Sequence, residues 1–264
     1  MRVHFLAGIE WGYVVSGLTV GMLVGLTGVG GGSLMTPILI LIFGISPVSA
    51  VGTDLLYAAA TKTAGSAVHG AHATIDWRIV GRLALGSVPA AIITLLALNA
   101  LGIDSHKANA IVSHVLGVAL LITASALVFR QWLLKTYASK VGQLSPATTM
   151  RYTVLTGVIL GALVASTSVG AGALGVTALI LLYPELPAVR LVGSDIAHAV
   201  PLTLVAGTGH WLLGNINFAL MGTLLLGSIP GILIGSTLAP RVPEVYLRRA
   251  MAVVLTAVAV KLFL

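Results

Sequence analysis

The sequence has no cysteine and very few charged residues. Without cysteine it offers neither disulfides nor thiolate ligands for a metal. Only 8% of its residues are Asp, Glu, Lys or Arg, whereas a soluble domain normally carries about 25%. Hydrophobic residues make up 58% of the chain. These proportions exclude an ordinary soluble domain and indicate an integral membrane protein.

Acidic residues are the scarcest charged type. There are seven of them against fourteen Lys and Arg, which gives a net charge of +7. In a membrane protein, surplus Lys and Arg mark cytoplasmic loops and contacts with anionic lipid. We therefore expect the lipid bilayer as a partner and do not expect nucleic acid.

Long runs without charge predict helical spans. The runs 83–103, 108–129, 152–184 and 196–240 reach or exceed the ~20 residues that one spanning helix needs. Continuous apolar runs favour an α-helical bundle over a β-barrel, whose strands alternate. We predict an all-α polytopic fold with 8–10 transmembrane segments. Ten apolar segments are expected at about 10–27, 31–44, 47–71, 77–101, 107–129, 151–167, 172–184, 188–212, 217–239 and 245–264.

Two glycine-rich stretches, at 25–37 and 165–177, interrupt these apolar runs. Glycine costs roughly 1 kcal/mol against alanine inside a helix, so both stretches predict broken helices. Exposed backbone at membrane depth is tolerated only where protein or a water-filled cavity receives it. The ends of broken helices present N–H groups that receive anions. The candidate substrate-binding residues here are Gly28, Gly30, Gly31, Gly32, Ser33, Ser168, Gly170 and Gly172.

The two halves of the chain carry matching residues. The offset is 140 residues as far as Pro47 and 141 residues after a one-residue insertion. Matched pairs include Gly17 and Gly157, Gly30 and Gly170, Asp54 and Asp195, and His69 and His210. Matched Asp, His and Gly are stronger evidence than shared apolar residues. We predict two transmembrane repeats, 1–129 and 151–264, joined by a basic cytoplasmic linker at 130–150.

Loop charges suggest how the repeats are oriented. If the basic linker is cytoplasmic, the loop near Arg78 and Arg82 is cytoplasmic too. In the second half, the matching loop 214–217 is uncharged and the next one, around Arg241 and Arg249, is basic. Counting positive charges therefore favours an inverted repeat. The alternative is a parallel repeat with four crossings in each half.

Two related motifs, VGTD at 51–54 and VGSD at 192–195, stand near the starts of long helices. Thr53 and Ser194, or the aspartates themselves, could cap those helices. A carboxylate inside a membrane is costly unless paired, protonated or facing water. Asp54 and Asp195 are therefore also candidates for binding a coupling proton or cation. Thr53 and Ser194 are additional candidates for binding the substrate.

Lys62 follows Asp54 on the same helix face but lies ~12 Å along the axis from it. It therefore needs another partner, and an anionic substrate is one candidate; snorkelling to the membrane interface is the other. His69, His198 and His210 share the faces of Asp54 and Asp195 and are candidates for coupling. Widely separated histidines are weak evidence for a metal site. With no catalytic motif in the sequence, we expect no enzyme and no cofactor.

Three stretches of the chain match a known family: GVGGGSLMTP at 28–37, PVSAVGT at 47–53 and DWR at 76–78. In these features the sequence resembles the TauE/SafE family of membrane permeases. Family members are proposed exporters of sulfite and related sulfur oxyanions, and sulfonates and other small organic anions also fit the resemblance. One departure is Asp54, where many members carry a small neutral polar residue. The resemblance thus implies a transporter more firmly than it implies sulfite.

Together these features predict a small-anion transporter in a bacterial inner (plasma) membrane. The anion would lie between the two glycine breaks, and alternating access would be coupled to protons or to the membrane potential. A homodimer is a further expectation. One alternative is a metal or cation carrier with Asp54, Asp195, His198 and His210 as ligands. Another is a membrane assembly subunit that transports nothing.

Overall fold

All the secondary structure in the described part of the chain is helical. The computed structural model describes residues 11–27, 32–100, 105–141, 144–238 and 244–263. Within these ranges it contains ten helices and no strand, which confirms the predicted all-α class. They are α1 (Trp11–Thr27), α2 (Gly32–Leu41), α3 (Pro47–Ala71), α4 (Trp77–Ala100), α5 (Ser105–Val141), α6 (Pro146–Thr167), α7 (Ala173–Leu182), α8 (Ala188–Leu212), α9 (Phe218–Leu238) and α10 (Glu244–Phe263).

Five of these helices, α4, α5, α6, α8 and α9, are long and apolar enough to cross a membrane. α2 and α7 have only 10 residues each. At 1.5 Å per residue they reach about 15 Å, half of the hydrocarbon core. The predicted second and seventh segments, 31–44 and 172–184, therefore contain short helices.

The segment 130–150 differs from the sequence prediction, because most of it is helical. α5 has 37 residues and continues through Arg130 and Lys135 to Val141. α6 begins at Pro146, and the Ser145 side chain caps it by accepting a hydrogen bond from the Thr148 amide. Hydropathy identifies only the apolar part of a helix, so it cannot predict how far the helix continues into a polar segment. The cytoplasmic position of this segment stays a prediction.

Two helix pairs pack through glycine. α1 lies along α9, and α4 lies along α6. In both pairs a Cβ atom added to the glycine would overlap a backbone carbonyl oxygen of the opposite helix, so only glycine permits this approach. The contacts are Gly17 with Leu224, Gly21 with Ser228, Gly157 with Leu83, and Gly161 with Ser87.

These contacts connect the two halves of the chain. α1 and α4 come from the first half, whereas their partners α9 and α6 come from the second. The two pairs also use matching residues: the offsets of 140 and 141 relate each residue of one pair to the residue in the same contact of the other. This arrangement supports the two-repeat organisation, although the repeat and its inverted sense stay predictions. Between the glycine pairs, α3 packs against α8 and brings polar side chains into the core.

Candidate functional site

Asp54 and Asp195 occupy the same place in two helices of equal length. Each lies seven residues after the first residue of its helix, Pro47 in α3 and Ala188 in α8, and both helices have 25 residues. The capping interpretation is therefore wrong for both aspartates. The N-cap residues are Ser46 and Pro187, and neither makes a side-chain capping bond. Both aspartates are instead fully buried within the helices.

The predicted second helix break lies between α6 and α7. Ser168 has a left-handed backbone with φ 60°, and Gly170 and Gly172 have φ 120° and 126°. The chain thereby leaves the helix and re-enters it at Ala173. The N–H groups of Gly172, Ala173 and Leu174 find no acceptor among the described residues, as expected for the start of a helix.

The predicted first break falls between α1 and α2. α1 ends at Thr27 and α2 begins at Gly32. Gly28, Gly30 and Gly31 lie outside the described residues. Ser33, in the first turn of α2, is buried, and its hydroxyl has no hydrogen-bond partner in the described part of the chain.

Asp54 is held from two directions. The Thr36 hydroxyl of α2 donates a hydrogen bond of 2.5 Å to Oδ2 of Asp54. The Ser168 hydroxyl faces the same carboxylate from the second helix break. Oδ1 of Asp54 and the Ser168 hydroxyl have no partner of good geometry among the described residues. A short helix from one half and a helix break from the other therefore converge on this carboxylate.

Lys62 is buried, with only 3% of its surface exposed, so it does not snorkel to the interface. Its ammonium group donates to the carbonyl oxygen of Ala171, within the second break, over 3.4 Å. It also lies within electrostatic range of both Asp54 and Asp195. In the described part of the chain it forms no direct ion pair with either carboxylate. One buried cation is thus shared between two buried acids.

The Asp195 carboxylate accepts no hydrogen bond from the residues that the structure describes. Neither of its carboxylate oxygens finds a partner among the described residues. The carboxylate lies against Gly175 in the first turn of α7, and a Cβ atom added there would overlap Oδ1. Gly175 could not be predicted from the sequence, because nothing in the sequence around it shows that α8 approaches at this point.

The three candidate histidines each have a local partner. His198 Nε2 lies 2.8 Å from the Ser87 hydroxyl, and His210 Nε2 lies 3.0 Å from the carbonyl oxygen of Ala165. His69 Nδ1 lies 2.8 Å from the Thr74 hydroxyl. Among the described residues, no three acidic or histidine side chains are grouped to hold a metal ion. The structure therefore does not bring the histidines and aspartates together as a ligand set.

Thr53 and Ser194 contact the starts of other helices. The Thr53 hydroxyl accepts a hydrogen bond of 3.0 Å from the amide of Asn217, just before α9. The Ser194 hydroxyl accepts one of 2.8 Å from the amide of Asp76, just before α4. Each hydroxyl thus holds a loop of the opposite half. These contacts indicate a structural role for two residues that the sequence suggested as substrate ligands.

A second polar cluster beside Asp54 was missed from the sequence. Thr61 and Ser228 exchange a hydrogen bond of 2.9 Å between their hydroxyls, and the buried Tyr57 hydroxyl lies beside both. Tyr57 follows Asp54 by three residues, so the two lie on the same face of α3. The matching position in α8 is His198, which contacts Ser87. Both clusters therefore contain a serine at matching positions, Ser228 and Ser87, but one has Tyr57 where the other has His198.

Known proteins match most of the chain. The family described as "Sulfite exporter TauE/SafE" matches residues 13–262. A curated protein of Bacillus subtilis (strain 168), "Probable membrane transporter protein YjnA", is 41% identical over 212 residues, which is 80% of this chain and 83% of that protein. No solved structure matches.

Proposed function

The chain belongs to the TauE/SafE sulfite exporter family, and on this premise we propose that it transports a small sulfur-containing or organic anion by alternating access. Membership of this family and the likeness to a probable membrane transporter support a multi-pass bacterial membrane transporter rather than an enzyme. The observation that carries the choice of an anion is Lys62. A buried ammonium beside a helix break has the charge and the position to receive an anion inside the membrane.

The proposed anion site lies between Lys62 and the start of α7. The amide groups of Gly172, Ala173 and Leu174 supply hydrogen-bond donors, and the positive end of the helix dipole favours negative charge. The Ser168 hydroxyl is buried in the same helix break and faces the Asp54 carboxylate without a hydrogen bond of good geometry among the described residues. Ser33 contributes a second buried hydroxyl from α2. Donors without acceptors suit a ligand that only accepts hydrogen bonds, such as a sulfur oxyanion.

The two aspartates provide the proposed coupling. With both carboxylates ionised, the ammonium of Lys62 leaves a net charge of −1 in the buried cluster, and an incoming monovalent anion would double it. Charge buried in an apolar environment is expensive. Uptake of one proton by Asp54 or Asp195 cancels the added charge and frees Lys62 to interact with the substrate. Anion binding and proton uptake are thereby linked, so that each favours the other.

The metal-carrier alternative finds less support. A cation bound between Asp54 and Asp195 would have to displace or neutralise Lys62, which already lies within range of both. His198 and His210 are engaged with Ser87 and Ala165. The membrane assembly alternative is disfavoured by the transporter relative.

The test is flux through purified protein in proteoliposomes, with sulfite, sulfate and a short alkylsulfonate as candidate substrates. We expect saturable flux of at least one of these anions. Lys62→Gln should reduce it about 10- to 100-fold, since a hydrogen bond to a charged group contributes about 1.5–3 kcal/mol. Lys135→Gln, which removes a charge from an exposed part of α5, is the matched control and should transport normally.

Two results would reject the proposal. One is anion flux that is unchanged in a correctly folded Lys62→Gln protein. The other is saturable flux of a divalent metal ion that Asp54→Asn abolishes, which would favour the carrier alternative. Folding of each variant is checked by size-exclusion chromatography and by its melting temperature in detergent.

A further inference from the structure

The outer surface of the helix bundle has a crevice between α5 and α10, with a volume of about 780 Å³. None of the residues that line it belongs to the proposed anion site. Leu127 and Val128 of α5 form one wall, and Ala252 and Thr256 of α10 form part of the other. Val128 is 62% exposed, so the crevice opens outward, towards the lipid.

The crevice changes from polar to apolar along its length. Arg249 and Gln131 line one end of it, and both are exposed. Arg249 and Thr256 are seven residues apart, which corresponds to ~10 Å along a helix axis. The apolar walls follow over that distance. A cationic mouth above an apolar slot matches an amphipathic molecule with an anionic head.

Most of the surrounding charge has the same sign, and Glu244 at the start of α10 is the exception. The polar extension of α5 carries the exposed Lys135, and the sequence contains no acidic residue between 105 and 184. This extension and the start of α10 are the parts that loop charges predict to be cytoplasmic. Anionic lipids of the cytoplasmic leaflet are attracted to such segments by about 1 kcal/mol for each Lys or Arg.

We propose that this crevice binds an anionic phospholipid from the cytoplasmic leaflet. The phosphate is held by the guanidinium of Arg249 with the amide of Gln131 beside it. One acyl chain lies against Leu127, Val128 and Thr256. The guanidinium is suited to this role because its donors match two phosphate oxygens at once. A second copy of the chain is a less favourable occupant, because two-fold packing on this face would bring the basic mouths of both copies together.

The experiment is native mass spectrometry of the full chain in a mild detergent, titrated with phosphatidylglycerol or with phosphatidylcholine. We expect the wild-type protein to retain phosphatidylglycerol preferentially. Arg249→Gln should weaken its binding about fivefold, which corresponds to the loss of about 1 kcal/mol. Thr256→Leu, which narrows the slot at an exposed position, should weaken binding of both lipids.

Two variants control for general effects of charge and of folding. Arg78→Gln removes an equally exposed arginine at the start of α4, away from the crevice, and should leave lipid binding unchanged. Arg249→Lys keeps the charge but not the two-pronged geometry and should bind with intermediate affinity. A melting temperature for each protein separates lost binding from lost folding.

Four outcomes would overturn the proposal. Equal retention of phosphatidylglycerol by wild type and Arg249→Gln would show that Arg249 does not bind the headgroup. Equal loss in Arg78→Gln would show unspecific attraction to basic surface. Displacement of the lipid by inorganic phosphate alone would indicate a site for free anions. Cross-linking between copies through cysteines introduced at Val128 and Val253 would assign the crevice to a dimer interface instead.

Discussion

α3 and α8 have the same length and a closely related polar pattern, yet they provide different chemistry. Both carry a hydroxyl residue followed by an aspartate, at Thr53 and Asp54 and at Ser194 and Asp195. In both, the hydroxyl accepts a hydrogen bond from a loop of the other half. The shared residues therefore fasten the two halves to each other.

The residues that differ between the two helices define the charge of the site. Where α3 has Lys62, the matching position of α8 is Thr203, whose hydroxyl bonds within its own helix. Asp54 receives a hydrogen bond from Thr36, whereas the position matching Thr36 is Val176 and Asp195 has no donor among the described residues. Two similar halves thus give one asymmetric cluster with a single cation. This favours one anion site in the molecule over two equivalent sites.

The largest expected effect tests whether the glycine contacts of the two halves are equivalent. Gly161→Ala and Gly21→Ala should each destabilise the protein by more than about 3 kcal/mol, the upper end for overpacking. The added Cβ would meet the backbone of Ser87 or Ser228, which cannot rotate away as a side chain does. The measurement is the yield of monodisperse protein in detergent together with its melting temperature.

The matched control for those substitutions uses two other helical glycines, Gly81 and Gly222. A Cβ atom added at either would meet nothing within 4 Å. Alanine should be neutral or slightly stabilising there, because it is the better helix former. A protein that tolerates alanine at Gly161 but not at Gly21 would show that the two glycine pairs do not carry equal weight.

The next effect separates the two aspartates. Asp195→Asn should reduce the stimulation of anion flux by a proton gradient about 5- to 150-fold, the usual range for coupled binding. Asp54→Asn should have a smaller effect on coupling, because Asp54 is already held by Thr36. The measurement is sulfite or sulfonate flux with and without an imposed proton gradient. An equal response to both substitutions would mean that the hydrogen bond from Thr36 does not distinguish the two acids.

A smaller effect concerns that hydrogen bond itself. Thr36→Val should cost about 1–3 kcal/mol, since it leaves the buried carboxylate of Asp54 without its donor. The reciprocal change, Val176→Thr, should cost less than about 1 kcal/mol, because a helical threonine can bond to the carbonyl oxygen four residues earlier. Melting temperatures of both variants measure the difference. Equal costs would contradict the asymmetry between the two acids.

The smallest effects belong to the two loop contacts. Thr53→Val and Ser194→Ala should each cost about 1 kcal/mol, the typical net contribution of one hydrogen bond. They remove the acceptors of the Asn217 and Asp76 amides. Both variants should keep anion flux near the wild-type level when folded. A loss of flux without a loss of stability would instead indicate that these hydroxyls bind the substrate.

Much of the fold could be predicted from the sequence because apolar length and proline mark helix boundaries. The predicted segments 47–71 and 188–212 have the same bounds as α3 and α8. α3 begins at Pro47, and α8 begins directly after Pro187. The end of α5 could not be predicted in this way, since its polar extension resembles a loop in hydropathy. The match of the two halves depended on Asp, His and Gly, which rarely coincide by chance.

The contacts of the candidate site could be predicted only in part. The sequence identified Asp54, Asp195 and Lys62 because a charged residue in an apolar helix is conspicuous. It did not show that Lys62 reaches Ala171, which is 109 residues away along the chain. Nor did it show that Thr53 and Ser194 hold loops of the opposite half. Such contacts depend on the approach of helices that are distant in sequence, and local patterns carry no signal for it.

The crossed glycine pairs have a consequence for biogenesis. α1 leaves the ribosome before α9, but in the described part of the chain its glycine face packs against α9. At about 5–20 residues per second, α1 waits for roughly ten seconds or more with that face against lipid or a chaperone. The glycine contacts between the two halves can therefore form only after the second half has been synthesised.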